Sequence, residues 1–155
     1  MKLERILLPV DKSDCSIKAT QYALSYAEQF GSTIHLLHCH KPVFCFNGEK
    51  EFNKVKARIY SKAETCIEVY RKLCEERNVP HEEIILEPPA SKAIIDTAKE
   101  MKADIIIMGS SGKSDFKGLL EGSVTHKVIH MAECPVLVIN HHVSATEESE
   151  MAKVS

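Results

Sequence analysis

The chain has 155 residues, of which 27% are charged and 44% belong to the hydrophobic set. These proportions are typical of one globular domain and exclude a disordered protein, a collagen-like repeat and a multidomain enzyme. Its 20 basic and 22 acidic residues give a net charge of −2, so the overall charge favours neither a nucleic acid nor an anionic membrane as a partner.

The cysteines and the N-terminal segment indicate a compartment. The six cysteines are scattered, without a Cys-x-x-Cys pair, which is typical of reduced thiols in a cytoplasmic protein. The first apolar run extends only from Ile6 to Val10 and is too short for a signal peptide or a membrane span. We therefore expect a cytoplasmic location and no membrane association.

Short apolar runs rich in Ile, Leu and Val predict five buried strands. They cover residues 5–10, 33–39, 83–86, 104–108 and 136–139.

Four stretches with helical periodicity lie between these strands. The first begins near Ser13 or Asp14 and is followed by Gly31, the residue type that most often forms a left-handed C-cap. The second has apolar positions from Ile59 onward and should end near Arg77. The other two are predicted at 90–101, with Ser91 as a possible cap, and from Ser123 to a residue before Pro135.

Alternating strands and helices predict an α/β fold, a doubly wound parallel sheet with right-handed crossovers and helices on both faces. Residues 41–50 are expected to form a surface loop. We expect one domain over 1–141 and a polar, mobile tail over 142–155.

Ligands of doubly wound sheets bind beyond the carboxyl ends of the strands, where the strand order reverses. The first strand ends at Pro9 and is followed by Asp11, whose side chain is expected to point into that crevice. Capping of the next helix by Ser13 or Asp14 would explain most of the polar residues there, but it does not explain Asp11.

The fourth strand leads into a glycine-rich segment. Four of the six glycines, Gly109, Gly112, Gly118 and Gly122, lie within positions 109–122. Glycine lets backbone N–H groups approach a ligand, and Ser123 opens a helix whose first N–H groups attract an anion. The segment indicates a phosphate cradle, although a flexible connection would have a similar composition.

Two better-known nucleotide motifs are absent. Residues 112–114, Gly-Lys-Ser, imitate the end of a Walker A loop, but Ile107 stands where that motif requires glycine. No Gly-x-Gly-x-x-Gly follows the first strand, which argues against a nicotinamide dinucleotide enzyme.

The spacing Gly109-x2-Gly112-x9-Gly122-Ser123 resembles the nucleotide-binding signature of the universal stress protein family. Residues 6–11, 36–39 and 134–139 are similar to the opening, second and closing strands of that family. The resemblance covers roughly residues 2–140 and is to the ATP-binding branch, because the other branch lacks the glycine signature.

The resemblance implies a Rossmann-like sheet of order 3-2-1-4-5 and a set of ATP-binding residues. Residues matching Pro9, Asp11 and Cys39 line the adenosine part, with Asp11 as a ribose hydroxyl acceptor. The chain departs from the family at Cys39, where an aliphatic residue is usual. The remaining implied site residues, which continue along the nucleotide to its phosphates, are Met108, Gly109, Gly112, Gly122, Ser123 and Val124.

The function predicted from this resemblance is a cytoplasmic regulatory or sensor module of the stress response. It binds ATP, with Mg or Mn as an accompanying ion, and has at most slow or partner-dependent hydrolysis. The resemblance also implies a homodimer through Val136–Ile139, and we expect an unidentified downstream protein partner.

Two other functions remain open at this stage. One is a weak ATPase or self-phosphorylating enzyme, with Ser110, Ser111 or Ser123 as possible acceptors. The other is a nucleotide-free dimeric scaffold. No catalytic residue is assigned.

A resident metal site is not expected. His126 and His130 stand four residues apart on a predicted helix, but no third ligand lies nearby in the sequence. His35 and His38 differ by an odd number of positions and therefore face opposite sides of a strand.

Overall fold

Five strands and four helices alternate along the chain in a computed structural model that describes residues 2–44, 48–110 and 123–140. The strands are β1 (Arg5–Pro9), β2 (Thr33–Cys39), β3 (His81–Leu86), β4 (Ile105–Gly109) and β5 (Val136–Ile139). The helices are α1 (Asp14–Phe30), α2 (Glu49–Glu76), α3 (Ala90–Glu100) and α4 (Ser123–Met131).

All neighbouring strands are parallel, and their order is β3-β2-β1-β4-β5. Both the α/β class and the order 3-2-1-4-5 are thereby confirmed. The order reverses between β1 and β4, because the chain winds outward in one direction up to β3 and in the other from β4 onward. The carboxyl ends of these two central strands therefore diverge around a crevice.

The sheet is covered on both faces, each with its own apolar core. Ile6 and Leu8 of β1 pack toward α1 and α2, in a cluster that includes Ile67 and Tyr70. Leu7, the residue between them, packs in the second cluster with residues of α3 and α4. This opposite placement of consecutive side chains is the two-residue period of a strand buried on both faces.

Local chemistry sets both ends of α1, as predicted. Ser13 is the N-cap, and its hydroxyl accepts from the backbone N–H of Ser16. Gly31 closes the helix with φ +68°, and its N–H donates to the carbonyl of Ala27 over 2.8 Å.

The start of α2 and the cap of α3 differ from the sequence prediction. Helix α2 begins at Glu49, inside the predicted loop and well before the apolar pattern that starts at Ile59. Its first fourteen residues, 49–62, include no buried side chain, so core-facing periodicity could not mark them. Pro89, not Ser91, is the N-cap residue of α3, and Ser91 is buried within the helix.

None of the helices in the described part of the chain is both long and apolar enough to span a bilayer. The predicted tail over 142–155 lies outside the described residues.

Candidate functional site

A cavity of about 220 Å³ opens at the crevice where the strand order reverses. Its walls come from the ends of three strands and the first turns of three helices. The described residues that line it are Pro9, Val10, Asp11, Ser13, Ser16, Leu37, Cys39, Ala90, Ile94, Met108, Gly109, Val124 and Thr125. We refer to this site as the cleft.

Asp11 is the charged side chain among these lining residues, and Ser13 fixes its orientation. The backbone N–H of Ser13 donates to Asp11 Oδ1 over 2.8 Å, and the Ser13 hydroxyl donates to the same oxygen. Both bonds hold one oxygen of the carboxylate against the start of α1. The exposed carboxylate is thus held at the mouth of the cleft in a fixed orientation.

The backbone around Asp11 is also tied to more distant parts of the chain. The backbone N–H of Asp11 donates to the Ser16 hydroxyl over 3.2 Å. The backbone carbonyl of Asp11 accepts from the hydroxyl of Tyr70 on α2. Burial raises the pKa of Tyr70 to about 12, so this phenol remains a neutral donor at physiological pH. Nδ1 of His38 donates to the neighbouring Val10 carbonyl over 2.9 Å.

No basic side chain is among the described lining residues of the cleft, so positive partial charge there can come only from the backbone groups of those residues. Helices α1, α3 and α4 all begin at it, through Ser16, Ala90 and Val124 respectively. Unpaired N–H groups and the macrodipole give each helix start a partial positive charge. These partial positive charges lie beside the negative charge of the Asp11 carboxylate.

Thr125, in the first turn of α4, has a polar atom with no partner. The residue is fully buried, and its Oγ1 has no hydrogen-bond partner in the described structure. A buried hydroxyl left without a partner costs about 1–3 kcal/mol. Because Thr125 lines the cleft, a bound ligand could satisfy this group.

Apolar atoms form much of the remaining wall. Leu37, Ile94 and Met108 are buried side chains from three different elements, and Cys39 is partly buried beside them. Burial raises the pKa of the Cys39 thiol to about 11, so it is protonated near neutral pH. The thiol therefore contributes a polarizable wall and has little thiolate character.

Gly109 has a packing role in addition to its place at the cleft. A Cβ atom at this position would lie 2.6 Å from the carbonyl carbon of Cys15 and 2.7 Å from its Cβ. Helix α1 consequently crosses the end of β4 at a distance that only glycine permits.

Six of the residues predicted for the site meet at the cleft: Pro9, Asp11, Cys39, Met108, Gly109 and Val124. Ser123 is the first residue of α4, whereas Gly112 and Gly122 lie outside the described residues.

Sequence reasoning missed several lining residues, above all Ser16 and Thr125. Thr125 is only two positions beyond the predicted Ser123, so helical geometry was an available signal for it. Ser16 lies in the first turn of α1, three positions beyond the cap Ser13 and five beyond Asp11, so the same helical geometry was an available signal for it.

A family model described as "Universal stress protein family" matches residues 2–140. The chain belongs to the universal stress protein family. The resemblance read from the glycine spacing is thereby confirmed over nearly the whole chain.

Relatives from archaea and bacteria match this universal stress protein along most of their length. It is 29% identical over 138 residues to the universal stress protein MJ0531 of Methanocaldococcus jannaschii, covering 88% of this chain and 81% of the relative. A universal stress protein of Thermus aquaticus is 33% identical over 135 residues, covering 86% of this chain and 96% of the relative. The solved structure of the protein MJ0577 superposes with a TM-score of 0.78 at 29% identity, covering 93% of this chain and 100% of that one.

A further solved relative contains a nucleotide. The universal stress protein of Archaeoglobus fulgidus in complex with dAMP is 25% identical, with a TM-score of 0.58, and covers 90% of this chain and 99% of that one.

Proposed function

We propose that this universal stress protein binds ATP in the cleft and acts as a cytoplasmic regulatory or sensor module of the stress response. One observation carries the proposal: the reversal of strand order opens an apolar cleft at which a fixed carboxylate, Asp11, and the first turns of three helices meet. The dAMP complex of the relative from Archaeoglobus fulgidus supports a nucleotide as the ligand class.

The apolar part of the cleft is assigned to adenosine. The weakly polar wall assigned to the base is formed by Pro9, Leu37, Cys39 and Met108. The carboxylate of Asp11 is assigned to a ribose hydroxyl, because an ionised carboxylate accepts hydrogen bonds and carries no donor. Ser13 holds Oδ1, and Oδ2 of the same carboxylate is the atom we assign to the sugar.

The phosphates are assigned to the α4 side of the cleft. Ser123 and Val124 supply backbone N–H groups in the first turn of that helix, where an anion is stabilised. The Thr125 hydroxyl would donate to a phosphate oxygen or to a water on it. Gly112 and Gly122 complete this part of the site in the proposal, with Mg or Mn as the ion that accompanies ATP.

The size of the cavity fits part of a nucleotide. Its volume of about 220 Å³ is below the roughly 300 Å³ at which typical ligand pockets begin. The described cavity therefore suits a nucleoside, and the triphosphate would extend beyond it along the start of α4.

The lining residues favour binding over rapid chemistry. Asp11 and Cys39 are the titratable side chains among those described at the cleft. Ser13 donates hydrogen bonds to Oδ1 of Asp11, and the raised pKa of Cys39 keeps its thiol protonated. We therefore propose hydrolysis that is slow or depends on a partner.

The proposal includes a homodimer formed through β5. This strand is the last in the sheet order, and among the described residues it pairs only with β4, which leaves its other edge for a second copy in the proposal. Three of its four residues remain partly exposed.

Calorimetric titration with ATP tests the nucleotide site through two variants. Asp11→Asn removes the charge of the ribose acceptor, and loss of a hydrogen bond to a charged group should weaken ATP binding by about ten- to a hundredfold.

Thr125→Val removes the unpartnered hydroxyl without changing the shape of the side chain. For Thr125→Val we expect about fivefold weaker ATP binding. Without ATP, its free energy of unfolding should be unchanged or slightly higher, because the unpartnered hydroxyl is gone.

Asp96→Asn is the matched control, because its carboxylate pairs with Lys92 on α3 and is not among the residues lining the cleft. Equal ATP affinity in all four proteins would contradict the assigned site. Absence of any ATP binding would favour the scaffold function, and turnover far above background without a partner would favour the enzyme.

A further inference from the structure

Two histidines on the outer surface of α4 converge on each other. His126 and His130 are four residues apart and therefore lie on the same helical face. Their Nε2 atoms are 3.2 Å apart, and their ring centroids are 4.3 Å apart. Both residues are exposed, and neither is among the residues lining the cleft.

A hydrogen bond between the two rings requires one Nε2 to carry a proton and the other to accept it. Such a bond between exposed groups contributes little to stability, because water competes for both partners. With both protons on Nδ1, each ring would instead direct an Nε2 lone pair toward the same region. A cation could then replace the shared proton.

The distance between the two nitrogens suits a single metal ion. Zinc binds imidazole nitrogen at about 2.0–2.1 Å, and an ion at that distance from both Nε2 atoms would subtend an angle of about 100°. This angle lies between the values for octahedral and tetrahedral coordination. We propose that His126 and His130 form a two-ligand site for a divalent transition-metal ion, with water in the remaining positions.

The chemistry of the ligands sets the metal class. Neutral imidazole suits Cu²⁺, Ni²⁺ and Zn²⁺, whereas Mg²⁺ prefers oxygen ligands. Of the three, Cu²⁺ should bind most tightly. Among the described residues no group of three or more His, Cys, Asp or Glu side chains could hold a metal ion. The proposed site therefore has two protein ligands, and we expect the bound ion to exchange readily with solution.

Chelation would also link two successive turns of α4. This helix has only nine residues, and helices of that length gain little stability from their own backbone. Metal binding to the folded helix alone would therefore raise the melting temperature of the protein.

Cu²⁺ titration of the untagged full-length chain, followed by electron paramagnetic resonance, tests the site. The background variant His141→Asn/His142→Asn removes the adjacent histidines near the chain end. In that background we expect one Cu²⁺ ion with two imidazole nitrogens in its spectrum and a metal-dependent rise in melting temperature. His126→Gln and His130→Gln should each weaken binding by about tenfold or more, because each removes one arm of the chelate.

A spacing control separates chelation from histidine content. Lys127→His combined with His130→Gln keeps two histidines on α4 but places them at adjacent positions, which do not share a face. It should bind Cu²⁺ as weakly as the single variants. Binding as tight as in the background protein, either in this control or in both single variants, would overturn the proposal.

Discussion

A methyl group on Gly109 would place a carbon 2.6 Å from the carbonyl carbon of Cys15. The neighbouring atom belongs to the backbone of α1, so rotation of a side chain cannot relieve the contact. The glycine at this point of the glycine-rich segment is therefore required for packing of the helix on the sheet, whether or not a ligand is bound.

Gly109→Ala should consequently destabilise the protein even when no ligand is present. Forced overpacking typically costs about 1–3 kcal/mol, and we expect a loss of that size in the free energy of unfolding, measured by urea denaturation. Ser110→Ala is the neighbouring control, because the backbone N–H of Ser110 that donates to the Ile139 carbonyl is retained. A Gly109→Ala protein as stable as this control would contradict the packing role.

Asp11 shows how far a single residue could be read from the sequence. Its position one residue beyond Val10 indicated a side chain at the crevice, and the structure places it there. Its anchoring by Tyr70 could not be foreseen, because that contact joins residues 59 positions apart and depends on how α2 packs.

At the scale of elements, prediction succeeded where local chemistry sets a boundary. The Ser13 cap and Gly31 defined α1 because both act through hydrogen bonds within a few residues. The early start of α2 was missed because 49–62 contains no buried side chain to produce a core-facing pattern. β5 was located to the residue, since Pro135 precedes a continuous apolar run.

The edge of β5 that no described strand pairs with leads to a prediction about assembly. If β5 pairs with its counterpart in a second copy, sedimentation equilibrium should give twice the chain mass of 17.4 kDa. Amide hydrogens of Val136–Ile139 should also exchange more slowly as protein concentration rises. A monomer mass across the micromolar range, with exchange independent of concentration, would contradict the dimer.

At the scale of the whole molecule, the net charge of −2 gives no indication of an anion site. In the proposed site the phosphate is stabilised by helix starts that meet at one cleft, and backbone dipoles do not appear in a count of charged residues. The fold creates this convergence because the chain reverses its winding direction between β1 and β4. The composition favours no polyanion-binding surface and is compatible with a single nucleotide.

A crystal structure of the protein with ATP tests the central claim most directly. We predict adenine against Cys39 and Met108, a ribose hydroxyl about 2.5–3.0 Å from a carboxylate oxygen of Asp11, and the phosphates at the first turn of α4. An empty cleft at saturating ATP, or a nucleotide bound elsewhere on the protein, would contradict it.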